Sequence, residues 1–368
     1  MAKPEIDVLF FVPVFKDRDQ PMTGGQVCAR KVVDGLVERG VKVEVLTLEG
    51  LETGGLWGTA RAIYRRLKTY NGKAAIMIYD TWLYKYLWPI MGFVKAACDF
   101  KIVPYSLHCH WSDFRSVKSQ SLHRLLTYAA VGPSHYNIGS SDAVLAHNLG
   151  WMYKKDASKV VFPGCDFKHM EIKQADCEGL PLQVISVGSF QPRKQYHNLV
   201  EAMGILAQKE PDIFAHINLC LVGNQSYDLA YVQGLKDRAS ALGVIDHLIL
   251  KDWPSREELS THFSSSQLFA LASQNEAFGM VALEAMYHGL PVLLGDFMTA
   301  GELQGPNLDC GYIVNRYRPE EFADAMITHW QVKDKAAVGK RSRQRALDIT
   351  DSWEEMVGKF HLALGEIK

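Results

Sequence analysis

A chain of 368 residues exceeds what one hydrophobic core usually supports, so two domains are expected and a single small binding module is excluded. With 48% hydrophobic and 22% charged residues the chain is globular, and a net charge of -1 provides no overall field for nucleic acid, although the front half is mildly basic. Seven scattered cysteines with no CxxC pair argue against a disulfide framework or a structural zinc, which fits a cytoplasmic setting, and no apolar run is long enough to span a bilayer.

Strand-like runs alternate with helical patterns almost from end to end, predicting an α/β architecture of parallel sheets with helices on both faces. Asp7 to Pro13 reads as a buried strand; Asp7 and the lack of a small-residue cleavage site argue against a leader. A Gly24-Gly25 turn opens a helix with Ala29, Val32, Val33, Leu36 and Val37 on one face, closed by Gly40 and followed by a strand from Lys42 to Leu46. Next, Leu56, Trp57, Ala60, Ile63, Tyr64 and Leu67 fall at helical spacing beside Arg61, Arg65, Arg66 and Lys68. Two readings stand: a basic amphipathic helix making peripheral contact with the inner face of a membrane or a lipid-linked acceptor, or a helix packed on its sheet with a solvated basic edge.

The polar, aperiodic stretch from Glu171 to Pro181 marks a boundary, giving a front domain over 1–175 and a second domain over 176–350. The second domain repeats the pattern: a strand Gln183 to Gly188, a helix with Leu199, Ala202, Met203 and Leu206 inward, then strands at Ile217 to Val222, His247 to Leu250, Leu268 to Ala272, Pro291 to Leu294 and Tyr312 to Val314. A final helix within 351–368 can pack on either domain, crossing back to the first in one case. Two doubly wound domains facing each other would hold a ligand in the cleft at the carboxyl ends of their strands.

The richest segment runs from Ser273 to Val292. Glu276 lies in a short loop, a helix opens near Gly279 and closes at Gly289, and Glu284 sits more than a turn inside it. The backbone N–H groups of Phe278, Gly279, Met280 and Val281 then form an anion site, while the two carboxylates accept hydrogen bonds from sugar hydroxyls.

Here the sequence resembles the retaining GT-B glycosyltransferases of glycosyltransferase family 4, the glycosyl transferases group 1. Their E-x-F-G-x-x-x-x-E-A motif matches Glu276 through Ala285, and G-x-P-V matches Gly289 to Val292. Gly24-Gly25 is similar to the family's N-terminal glycine loop, His108 to the His closing a front-domain strand, Pro163-Gly164-Cys165-Asp166 to its P-G-x-D turn, and Val187-Gly188 with Lys194 to V-G-R-L-x-x-x-K. The resemblance implies a GT-B fold of two Rossmann-like domains, with a nucleotide-diphosphate sugar as donor substrate and no other cofactor. It implies that Glu284 holds the ribose, Glu276 the transferred sugar and Lys194 the diphosphate, that His108 is catalytic with Glu276 and Lys194, and that the Gly24-Gly25 loop helps bind the donor. The mechanism implied is same-face attack, with the acceptor proton passing to the leaving phosphate oxygen.

The chain departs from the pattern at Ser189, where the family has Arg; Ser cannot replace a bidentate phosphate partner, and Arg193 is the candidate for the second charge. Ala272 replaces the family's usual Pro, and Gln195 the Gly after its lysine. His108 and His110 face one side of a strand, but no third ligand is placed and no metal site is expected. Asp17-Arg-Asp19 superficially resembles a metal-binding Asp-x-Asp and is read as an exposed charged loop. The expected activity is hexosyl transfer to a glycan, lipid-linked or small-molecule acceptor; a nucleotide-sugar epimerase and a catalytically silent partner subunit are the alternatives.

Overall fold

The computed structural model describes residues 4–16, 22–110, 116–168, 181–276 and 278–367. The Asp17-Arg-Asp19 loop, Ala277 and the expected 175/176 boundary lie outside the described residues. The chain divides into two compact units, Met1–Gly164 with Asp351–Lys368, and Cys165–Thr350.

The first unit is built on six parallel strands: β1 (Ile6–Phe11), β2 (Val43–Leu46), β3 (Ala74–Asp80), β4 (Lys101–Ser106), β5 (Asn137–Gly139) and β6 (Ser158–Val160), in the order β2-β1-β3-β4-β5-β6. Val8 through Phe11 are buried without alternation, because helices cover both faces. The helix Gly24–Glu38 starts where Gln26 accepts the Thr23 N–H at 2.9 Å and ends before Gly40, whose φ of +80° suits glycine.

Val32, Val33 and Leu36 face inward as predicted, but Val37 is 53% exposed. The inward place belongs instead to Gly35, where an added Cβ would stand 2.7 Å from Val357 Cγ1. Val357 lies on the terminal helix Trp353–Gly365, which is part of this first unit. Ser352 caps that helix, accepting the Glu355 N–H at 3.2 Å.

The basic helix spans Leu56–Lys68. Ala60, Ile63 and Leu67 are buried in a core with Leu9, Phe11, Met77 and Tyr79, while Arg61, Arg65, Arg66 and Lys68 are exposed. Its apolar face is spent on the sheet; a basic edge and Trp57 remain at the surface.

The second unit carries six more parallel strands: β7 (Leu182–Val187), β8 (Ile217–Val222), β9 (Leu248–Lys251), β10 (Leu268–Leu271), β11 (Val292–Gly295) and β12 (Gly311–Val314), in the order β12-β11-β10-β7-β8-β9. From β7 the chain steps outward through β8 and β9, then returns to β10 on the other side. That reversal is a topological switch point, and the loops after β7 and β10 leave the sheet side by side there. In the core, Leu199, Ala202, Met203 and Leu206 of the helix Tyr196–Lys209 meet Phe322, Ala323 and Met326 of the helix Pro319–Gln331. No helix among the described residues is long and apolar enough to cross a membrane.

Candidate active site

The two loops at the switch point carry the candidate donor-site residues. After β7 the chain passes Gly188 and Ser189, makes a short helical turn at Pro192–Lys194 and enters the helix Tyr196–Lys209 through Gln195. Two close approaches fix this loop. A Cβ on Gly188 would stand 3.0 Å from Lys194 Cε, and one on Gly223, at the end of β8, would fall 1.8 Å from the Gly188 carbonyl oxygen. Tyr196 donates its hydroxyl proton to that same oxygen at 2.8 Å.

Gln195 occupies the left-handed region at φ +52°. The family's glycine therefore stands where a left-handed backbone is needed, and Gln195 adopts the same conformation at some cost in strain.

Lys194 is buried, and its Nζ donates to Glu276 Oε1 at 2.5 Å. Burial alone would raise the Glu276 carboxyl, but the Lys194 and Arg193 cations outweigh it and hold the group below the usual carboxylate range. Arg193 Nη1 donates to the Asn275 carbonyl at 2.8 Å, and the Gln274 N–H to the Arg193 carbonyl at 2.8 Å, so the β7 and β10 loops are laced together. Arg316 Nη1 adds a bond to the Gln274 carbonyl at 2.8 Å. Ser189 Oγ accepts from Gln191 Nε2 at 2.6 Å, a local turn contact in place of the family's arginine.

The helix after β10 spans Met280–Tyr287, with Gly279 at φ +77° as its N-cap and Gly289 at φ +73° beyond its end. Its intrahelical bonding begins at the Ala282 N–H, which donates to the Gly279 carbonyl at 2.9 Å. The Gly279, Met280 and Val281 N–H groups thus head the helix beside Glu276.

Glu284 lies on this helix, buried, and accepts from Arg256 Nη1 at 2.8 Å. Arg256 also pairs through Nη2 with Asp166, and its guanidinium lies 5.0 Å from the centre of the Phe167 ring. Burial raises the Glu284 carboxyl; Arg256 draws it down, Asp166 pushes it up, and the result lies above the ordinary range. His288 Nδ1 contacts the Glu284 carbonyl at 2.7 Å and its Nε2 contacts Ser260 Oγ at 2.9 Å, tying the Glu284 helix to the helix Arg256–Ser264.

Arg256 and His288 have no place in the motif spacing. Arg256 sits at the first position of a helix opened by the Ser255–Glu258 capping box, which fixes where its side chain leaves the backbone.

In the first unit, an added Cβ on Gly25 would lie 3.7 Å from Leu107 Cδ1, so the glycine turn and the residue before His108 meet at the carboxyl end of the sheet. The Asn148 amide donates to the His108 carbonyl at 3.0 Å, and the His108 and His110 rings meet edge to face at 4.7 Å. Asp80, closing β3, is half-buried, and desolvation raises its carboxyl to about 6 against the opposing pulls of the Trp82 N–H and of His108. Among the described residues no three His, Cys, Asp or Glu side chains are grouped to share a metal ion.

Residues 171–345 match the family model Glycosyl transferases group 1. Mannosylfructose-phosphate synthase from Agrobacterium fabrum is 31% identical over 114 residues, 30% of this chain and 24% of that protein. A D-inositol 3-phosphate glycosyltransferase from Nocardioides is 28% identical over 245 residues, 61% of this chain and 53% of that protein. The matched stretches thus span from about a quarter to about half of these relatives. Among solved structures, sucrose-phosphate synthase from Thermosynechococcus elongatus superposes with a TM-score of 0.75 at 17% identity, covering 97% of this chain and 98% of that one. The Anabaena protein HepE in complex with UDP gives 0.73 at 18% identity, covering 98% and 100%. The fold is GT-B, and residues 171–345, which include the switch-point site, match a glycosyl transferases group 1 domain.

Proposed function

We propose that the protein is a metal-independent, retaining family 4 glycosyltransferase that moves a hexosyl group from a nucleotide-diphosphate sugar to a glycan, lipid-linked or small-molecule acceptor. The observation that carries this reading is the part-buried Lys194–Glu276 pair at 2.5 Å beside the head of the Met280–Tyr287 helix. The ammonium meets the charge that grows on the leaving diphosphate, aided by Arg193 and the Gly279, Met280 and Val281 N–H groups. The Glu276 carboxylate, ionised at neutral pH, accepts hydrogen bonds from the sugar, and Glu284 accepts those of the ribose. The C–O bond to the diphosphate breaks, the acceptor oxygen attacks the same face, and its proton passes to the leaving phosphate oxygen. His108 is the catalytic residue of the first unit, and the Gly24-Gly25 turn helps bind the donor. A uridine nucleotide is the first donor to try, since the Anabaena neighbour was solved with UDP and with UDP-glucose.

Lys194→Ala tests the assignment. Turnover of UDP-glucose and GDP-mannose with candidate acceptors should fall by about 10²-fold or more, as expected for a lost charge partner in the transition state. Wild-type turnover in a folded variant would remove Lys194 from the mechanism.

A further inference from the structure

The first unit holds a concave site of about 510 Å³ that includes neither Gly24, Gly25 nor His108. It opens between the Glu52–Gly55 loop, the segment Lys85–Trp88 and the helix Val117–Val131. Its size falls in the roughly 300–1,000 Å³ range of small-molecule sites.

Two kinds of group converge there. Tyr86, Trp88 and Leu126 supply an apolar wall. Trp57 extends it: its ring meets Trp88 edge to face at 5.8 Å while the residue stays 67% exposed, an indole that the packing of the first unit does not require. Opposite in chemistry are Glu52, Lys85 and His123. Lys85 Nζ is held 3.5 Å from the Trp82 ring centre and 5.0 Å from that of Tyr86, and His123 Nδ1 meets the Tyr84 hydroxyl at 2.7 Å. Both polar side chains are thus anchored by aromatic neighbours.

The charges of Glu52 and Lys85 cancel, so neither an anion nor a cation is favoured. An aliphatic chain would bury the carboxylate and the ammonium without hydroxyl partners. A neutral ligand with one apolar C–H face and a rim of hydroxyls satisfies both walls, and a pyranose ring has that shape.

Resting on the glycosyl-transfer reading, we propose that this site is an acceptor subsite for a neutral pyranose unit, stacked on Trp88 and Tyr86 with its hydroxyls on Glu52, Lys85 and His123. The acceptor is then a glycan or glycoside that reaches beyond the reacting sugar.

Saturation-transfer NMR on the full chain tests this, with methyl glucoside, methyl galactoside, methyl mannoside, maltose, cellobiose and lactose as probes, each with saturating UDP. At least one saccharide should bind. Trp88→Ala should abolish that binding, and Glu52→Gln and Trp57→Ala, both at exposed positions, should weaken it by about tenfold or more. UDP affinity should stay unchanged in all three. Absence of saccharide binding, or binding indifferent to Glu52→Gln and Trp57→Ala, overturns the subsite while leaving the donor reading standing if UDP still binds. Capture of octyl detergents without glycosides would show an apolar groove and also overturn it. Loss of UDP binding in the wild type strikes the glycosyl-transfer reading itself.

Discussion

At the residue scale, the two glutamates of the motif sit in opposite electrostatic environments. Glu276 has Lys194 and Arg193 beside it and is held ionised, whereas Glu284 has one cation, Arg256, shared with Asp166. Around Glu284 the Arg256–Ser264 helix contributes Arg256, the segment after Gly164 contributes Cys165 and Asp166, and its own helix contributes His288, which burial keeps neutral. Arg256 therefore acts as a positioning residue. Arg256→Gln leaves Asp166 as the nearest charge and moves the Glu284 carboxyl further up. On the proposed reading, in which the ionised Glu284 accepts the ribose hydroxyls, the variant should bind UDP about tenfold more weakly than wild type by calorimetry, with the gap narrowing as the pH is raised. A gap that does not change with pH would make Arg256 a packing residue only.

At the scale of elements, much was legible. The strands of the second unit fall within a residue or two of the apolar runs that predict them, because strands buried on both faces leave continuous hydrophobic stretches. Glu276, Glu284 and Lys194 were legible because their spacing follows a motif. Arg256 was not, because its partner lies 28 residues away and only the docking of two helices through His288 and Ser260 brings them together. Asp166, readable only as part of a turn, is the other anchor of Arg256. Val37 misled because helical spacing alone cannot tell which flank of the apolar stripe a neighbouring helix covers; Gly35 takes that contact against Val357. Gly35→Leu should therefore cost about 1–3 kcal/mol by overpacking, read as a lowered Tm, and Val357→Ala should restore part of it. An unchanged Tm in the single variant would contradict this helix pairing.

At the scale of the whole molecule, the charge asymmetry between the halves, +5 over residues 1–180 and -6 over 181–368, bears on where the acceptor is met. With Ile63 and Leu67 buried, the Leu56–Lys68 helix offers a membrane only its basic edge and Trp57. Attachment to anionic vesicles should therefore be weak, about 1 kcal/mol per basic side chain at most, and lost between low and physiological salt. Co-sedimentation comparing wild type with Arg61, Arg65 and Arg66 changed to Ser should show the low-salt binding disappear. Salt-resistant binding, or binding indifferent to those changes, would require another surface.

The central claim, hexosyl transfer with retention through the Lys194–Glu276 site, is tested most directly by NMR of the product's anomeric proton. The reaction contains a nucleotide-diphosphate hexose, a glycoside acceptor and EDTA. Turnover is expected without added metal, with the anomeric coupling of the new glycosidic bond matching that of the donor, and with loss of both product and signal in Lys194→Ala. A product of inverted configuration, or turnover only when magnesium or manganese is restored, would contradict it.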